Sequence, residues 1–322
     1  MALRDLKETL IDETSIILGP NFAVEVTETA TVPHSNDGKI TFPNLDTERQ
    51  SCKLVHVCVL YIDMRRSTEL SLKLKPQTVS KLYSAFVRAM TQCARHFSGH
   101  VRGIIGDRVM VLFDTDQSFE NAVNCAILMN STAKYIINKY FKSDEATFGI
   151  GIDAGRTLVA KTGIRKNGAD LQNYRSLVWL GRPANIASKL TDIANKPSET
   201  QSLTRLNVVY DRGTILTGQN YVSDWDWPHT FVQKLKDTGY PSYALKHVDP
   251  AYRGFYIHEW PSETTAATPP ILMSRLVWDG FRRAKPEDES VKNGWFQKVD
   301  VDVAGLESQV FGGDVIFTIF RD

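Results

Sequence analysis

An α+β fold, with a mainly antiparallel sheet and helices over one face, follows from three features of the sequence. LVHVCVLYID (residues 54–63) is an unbroken apolar run of strand length that stops at Asp63. HVRGIIGDRVMVLF (100–113) reads as two short strands about a Gly106-Asp107 turn. Between and after these runs lie segments of helical periodicity, giving the order β-α-α-β-β-α-β-β-α-β.

Each element has its own signal. Residues 1 to about 50 read as an N-terminal extension. Leu6, Leu10 and Ile11 share one side of a short helix, and the stretch from Thr31 to Arg49, with Pro33, Gly38 and Pro43, reads as a linker or loosely packed arm. The run ending at Asp63 has the pattern of a buried central strand. Ser67 or Thr68 is the expected N-cap of a helical segment that breaks at Pro76 and continues to Phe97. In SFENAVNCAILMNSTAKYIINKYF (118–141), Ala122, Cys125, Ala126, Met129 and Ala133 fall on one helical face. ATFGIGIDAG (146–155) is a strand, RTLVAKTG (156–163) a candidate further strand, and SLVWLG (176–181) another. Pro183 stands near the start of the helix ANIASKLTDIAN (184–195), where proline is tolerated. LNVVYD (206–211) is a further strand. Beyond residue 215, aromatic residues and prolines scatter without a repeat.

Composition narrows the function classes. The 322 residues carry 38 Lys and Arg against 37 Asp and Glu, so a formal charge of +1 offers no general attraction to nucleic acid. No segment approaches the roughly 20 apolar residues of a membrane span, and the N-terminus does not read as a signal peptide. Cys52, Cys58, Cys93 and Cys125 form no CxxC pair and read as reduced thiols of a cytoplasmic protein.

A carboxylate ending an apolar strand either caps a backbone amide or binds a cation. Two of them on neighbouring strands, Asp63 and Asp107, can share metal ions about 3.5–4 Å apart, the spacing used for displacement at phosphorus. The intervening MRRST places Arg65, Arg66, Ser67 and Thr68 at a helix start, where free N–H groups receive anions such as phosphate. Asn185 and Lys189, four apart in a helical segment, face the same way. One can bond a ribose oxygen while the other neutralises a phosphate, or both can form a solvated polar face.

YIDMRRST resembles the strand-and-loop motif of class III adenylyl and guanylyl cyclases: an aromatic, any residue, Asp, an aliphatic, then a short loop ending in Thr. IIGDRVMVLF resembles their second metal motif, FGIGIDAGRTLVAKTG their Gly-rich strand and WLGRPANIASKL their Asn-x-x-x-Arg helix. The four motifs stand in family order over roughly residues 54–210.

The resemblance implies a ferredoxin-like class III cyclase fold, with an extension at 1–50, a catalytic domain at 51–245 and a C-terminal extension of unknown role at 246–322. It implies two divalent ions, Mg or Mn, on Asp63, the Ile62 backbone and Asp107. Asn185 matches the asparagine that orients the ribose. Lys189 stands where the family has its transition-state arginine, keeping the charge and losing the planar fork. It also implies a homodimer with active sites between the two chains.

The family's two purine-reading positions are Gly103 and Val178 here, and neither supplies the usual side-chain hydrogen bonds. Tyr61, Arg108 and Arg102 bring bulk and donors that suit a pyrimidine carbonyl. In these respects the motifs look like those of the bacterial pyrimidine cyclases of the Pycsar anti-phage system. That implies a nucleoside triphosphate substrate, UTP before CTP, and a cyclic nucleotide messenger made in antiviral defence. A purine cyclase reading its base through backbone groups, and a degenerate cyclase that only binds, are the other readings.

Overall fold

The run that ends at Asp63 lies inside a mixed sheet built from both ends of the chain. The structure, a computed structural model, describes residues 2–143, 145–166, 169–213, 218–239 and 244–321. In chain order the first elements are α1 (Leu3–Ile17), β1 (Ala23–Thr29), β2 (Arg49–Met64), α2 (Ser67–Lys73), α3 (Pro76–His96), β3 (His100–Ile105) and β4 (Arg108–Phe113). Then come α4 (Ser118–Thr132), prolonged through a π-helical turn at Ala133–Ile137 into α5 (Asn138–Tyr140), β5 (Phe148–Lys166), β6 (Ala169–Leu180) and α6 (Arg182–Ile193). A separate segment holds β7 (Glu199–Asp211), β8 (Tyr221–Asp226), α7 (Pro228–Gln233), β9 (Leu235–Asp237), β10 (Leu245–His247) and β11 (Tyr252–Thr265). The chain closes with β12 (Ile271–Ser274), α8 (Arg275–Ala284), α9 (Glu289–Lys292), β13 (Gln297–Val299) and β14 (Val310–Gly313). Among the described residues no helix is long and apolar enough to cross a membrane.

Two units result, residues 1–196 with 268–322, and 197–267. The expected break after residue 245 is therefore not where the chain divides. Ile271–Met273 of β12 pair in parallel with Ile150–Ile152 of β5, because the apolar β5 would otherwise leave a ladder edge bare. The C-terminal residues thus complete the sheet rather than extend from it. The 197–267 unit has its own three-stranded antiparallel sheet, β11-β7-β8, over a small core of Leu206, Val208 and Phe231.

The main sheet runs β13-β14-β12-β5-β2-β4-β3, with β1 beside β2 and β6 beside β5. Only β1–β2 and β12–β5 are parallel, so it is mainly antiparallel as expected. The stretch 156–163 is not a new strand; it continues β5.

Strand alternation sorts the side chains of β2 into two cores. Cys58, Leu60, Ile62 and Met64 face a cluster with Leu82, Phe86 and Met90 of α3, Ala122, Ala126 and Met129 of α4, and Val277 and Phe281 of α8. Val55, Val57 and Val59 face the opposite side, against Ala184 and Ala187 of α6 and against Val32 and Ile40 of the arm. Helices therefore cover both faces, which corrects the one-face expectation. The central strand is apolar on both sides, and both must be shielded from water.

The arm is packed more tightly than its composition suggested. β1 runs parallel to β2, Lys53 Nζ meets Asp37 Oδ2 at 2.6 Å, Lys161 Nζ donates to Asp37 O at 2.7 Å, and the Val32 amide donates to Asp114 Oδ1 at 2.6 Å. α1 itself buries none of its residues, and Leu10 and Ile11 are exposed.

Gly151 sets the height of α6 over the sheet. A Cβ there would overlap the Ala187 carbonyl and Thr191, so the bare backbone lets the helix sit directly on β5. Gly151→Ala is expected to lower unfolding stability by about 1–3 kcal/mol through this overpacking, read as a shifted denaturation midpoint.

Asp153, fully buried on the same face, has neither carboxyl oxygen in a well-formed hydrogen bond, and nor has Ser274 Oγ nearby. Burial raises its carboxyl above the ordinary range, against smaller pulls from Ser274, the Ala154 amide and Arg182. A carboxyl raised on folding costs stability once ionised: the cost is absent below its unfolded value and complete above its folded value. Asp153→Asn is therefore expected to stabilise the protein at pH 7–8. That advantage should vanish toward pH 3, as followed by denaturant titration across pH.

Candidate active site

Asp63 closes β2 opposite Gly149 of β5. On its other side, Ile62 pairs with Val109 of β4, and Ile105 of β3 pairs with Arg108. Asp107 sits in the β3–β4 turn that Gly106 makes with a φ of 61°, a conformation glycine adopts freely. The two carboxylates thus stand at the same end of the sheet, and both act electrostatically on the same neighbour, Arg65. Ile62 is fully buried on the α3–α4 side, so only its backbone can serve a ligand.

Arg108 ties this end of the sheet to α6. Its Nη2 donates to Asp63 Oδ2 at 2.7 Å and also to Asp192 Oδ1, and its Nη1 donates to Ser188 Oγ at 2.8 Å. Burial pulls the Arg108 guanidinium down, but the bonds and charges of Asp63 and Asp192 together outweigh it and leave it raised. Burial raises the Tyr61 phenol, and the nearby Arg108 charge draws it partly back. Across the ladder Tyr61 pairs with Met110 and Met110 with Gly103, so these three share one row on the α6 face.

Four expected site residues sit differently. Arg65 turns inward. Its guanidinium donates to Thr191 O and Asp192 O at the end of α6, over Gly149, where a Cβ would overlap it. Burial lowers it below the usual arginine value, and Asp63 and Asp192 oppose that. It caps the last carbonyls of the helix. Arg102 Nε donates to Pro33 O at 3.2 Å and its Nη1 to Val101 O, so it fastens the arm. Leu177 and Trp179 pack toward Tyr61 and Met110, and alternation turns Val178 between them the other way. The N-cap of α2 is Arg66, at a φ of 54°, with Ser67 and Thr68 as its first helical residues and no side-chain cap bond.

Asn185 and Lys189 are both exposed on α6. Neither has a recorded bond to Asp63 or Asp107 within the described residues of this chain, and Lys189 Nζ donates to Ala304 O of the C-terminal segment at 2.6 Å.

The profile of the adenylate and guanylate cyclase catalytic domain matches residues 50–200. A uridylate cyclase of Burkholderia cepacia is 31% identical over 179 residues, covering 54% of this chain and 72% of the relative. The chain belongs to the class III nucleotide cyclases. A uridylate cyclase of Rhodovulum sp. is 26% identical to this cyclase over 206 residues, covering 59% of this chain and 82% of the relative. A cytidylate cyclase of Staphylococcus aureus is 32% identical over 108 residues, covering 31% of this chain and 26% of the relative.

The donor set of the cyclase fits oxygen-seeking divalent ions. Asp63 is largely shielded from water, with 15% of its side chain exposed, and its recorded bond is to the Arg108 cation. Asp107 makes no hydrogen bond or ion pair among the described residues. No cluster of three or more His, Cys, Asp or Glu with metal-binding spacing occurs among the described residues. Two carboxylates without a closed cage suit ions that take their remaining ligands from water and phosphate oxygens.

Sequence reading missed Asp192, Ser188 and Trp179. Ser188 and Asp192 are four apart on α6, a spacing as legible as that of Asn185 and Lys189, but their role needs Arg108, 80 residues away from Ser188, to be brought to them. Trp179 lies in the Tyr61 cluster with a buried indole N–H that has no partner.

Proposed function

We propose that this cyclase converts UTP to 3′,5′-cyclic UMP and pyrophosphate, as a homodimer, and serves as a messenger synthase in anti-phage defence. The observation that carries the base assignment is Arg108. Its guanidinium stands against α6 and acts electrostatically on Tyr61, whose own row ends at Gly103, which supplies no purine-reading side chain. Donors suit the O2 and O4 carbonyls of uracil, and the Tyr61 ring narrows the space a purine needs. The uridylate cyclase relatives support the same assignment over far more of their length than the cytidylate cyclase does. CTP is the second reading, favoured by that shorter match.

The reaction joins the ribose 3′-oxygen to the α-phosphorus as the bond from that phosphorus to the β-bridging oxygen breaks. The hydroxyl proton passes to solvent. Asp63 and Asp107 would hold two divalent ions, whose charge favours the 3′-alkoxide and offsets the charge gathering on pyrophosphate. The free amides at the start of α2, with Arg66, Ser67 and Thr68, receive the terminal phosphates. Asn185 of the second chain orients the ribose. Lys189 of the second chain sets its ammonium against the α-phosphate, where charge develops.

Incubating the protein with each of the four triphosphates and Mn2+, with products separated by mass, tests the assignment. Cyclic UMP is expected to dominate. A dominant cyclic AMP peak would overturn the pyrimidine reading.

A further inference from the structure

Arg108 is shared between two acids that have different fates. Asp63 is the carboxylate a divalent ion needs, whereas Asp192 belongs to α6 and stands 53% exposed. Both accept from the same nitrogen, Nη2, while Nη1 rests on Ser188. A guanidinium has five N–H donors, and the two on Nη2 are both engaged in this arrangement. Arg108 takes only Oδ2 of Asp63, but a divalent ion on either carboxylate oxygen would set a second positive charge against the guanidinium, which weakens the hold of Asp63 on Arg108.

We propose that Asp192, with Ser188, is the positioning residue that takes over Arg108 when a divalent ion engages Asp63, holding the guanidinium on the α6 face with one Nη2 donor released for the pyrimidine carbonyl. The base-reading half of this inference rests on the proposed pyrimidine substrate; the handover rests only on the proposed metal binding by Asp63. Three features make Asp192 suitable. It is one helical turn from Ser188, so both reach the same guanidinium. α6 is fixed against the sheet at that level, with the one hydroxyl proton of Thr191 shared between Ala187 O at 2.7 Å and Tyr61 O of β2 at 3.3 Å. The Arg65 cap on Thr191 O and Asp192 O holds the last turn in place. Metal entry and base recognition are then coupled through one side chain: the ion frees the donor that reads the base.

The test compares wild type with Asp192→Asn, Asp192→Glu and Ser188→Ala, all as full chains. Mn2+ binding to the nucleotide-free protein is followed by the loss of the free-ion electron paramagnetic resonance signal. Without Asp192, Arg108 loosened from Asp63 has lost its charged refuge, so half-saturation by Mn2+ is expected to rise about tenfold in Asp192→Asn. A smaller rise is expected in Ser188→Ala, and recovery in Asp192→Glu. In turnover, the same Asp192→Asn protein should show a raised KM for UTP with a lesser change in kcat, and a narrowed preference for UTP over CTP. Unchanged Mn2+ half-saturation in Asp192→Asn, with or without a loss of thermal stability, would overturn the handover. A shifted Mn2+ curve with an unaltered KM and an unaltered UTP preference would overturn the positioning role in base reading. Failure of wild type to cyclise UTP at all would sink the proposed function instead, and the Mn2+ titration would still decide the handover.

Discussion

Asp63→Asn protein is expected to fold as the parent does and to lose nucleotide cyclisation by several orders of magnitude. The substitution keeps the shape of the side chain and removes the charge that draws a divalent ion. It ends a strand whose register is set by apolar pairs such as Leu60 with Val111 and Ile62 with Val109, so the sheet has no reason to shift. Arg108 keeps Asp192 and Ser188 as partners, so no buried guanidinium is stranded. Stabilisation of the developing negative charge is usually the largest share of such catalysis, and in the proposed mechanism it depends on both carboxylates. Asp107→Asn should behave alike. Turnover of UTP with Mn2+, beside circular dichroism of the same sample, checks the expectation. Normal speed in either variant would end the two-carboxylate mechanism.

Two inactive variants should restore each other. In the proposed site, Asp63→Asn removes the metal side and Asn185→Ala the ribose side. If each active site takes Asp63 and Asp107 from one chain and Asn185 and Lys189 from the other, an equal mixture has one intact site in each mixed dimer. Random pairing makes about half the dimers mixed, and half of their sites are whole, so about a quarter of wild-type activity is expected to return. The isolated variants should stay near background. No recovery after co-refolding or co-expression would place all four residues in one chain's site. The exposure of Asn185 and Lys189 on α6, without a recorded bond from either to Asp63 or Asp107 in their own chain, is what motivates the experiment.

Much of the core was legible because its signals are local. The run ending at Asp63, the Gly106-Asp107 turn and the proline-started helix carrying Asn185 each lie within about a dozen consecutive residues, and they fold as read. The arm was misjudged because its prolines and glycine speak of irregular backbone and say nothing of burial. Val32 and Ile40 are core residues with no periodic neighbours to reveal them. The C-terminal segment was illegible for a related reason. β12 is four residues long, and its apolar side chains acquire meaning only beside Ile150 and Ile152. Arg65 and Arg66 are adjacent and alike in sequence. The inward turn of Arg65 depends on Gly149 leaving room and on the end of α6 offering carbonyls.

By itself the sequence determined the central strand that carries Asp63, the turn that carries Asp107 and the family the motifs belong to. Those properties are set by side-chain alternation, glycine at turns and the order of residues along the backbone. Only the tertiary structure decided which partner, carboxylate or backbone carbonyl, each cation finds. Arg65, Arg102, Arg108 and Lys189 carry the same charge, and a guanidinium or ammonium finds its partner through space. Folding brings that partner from a segment as distant as 127 residues.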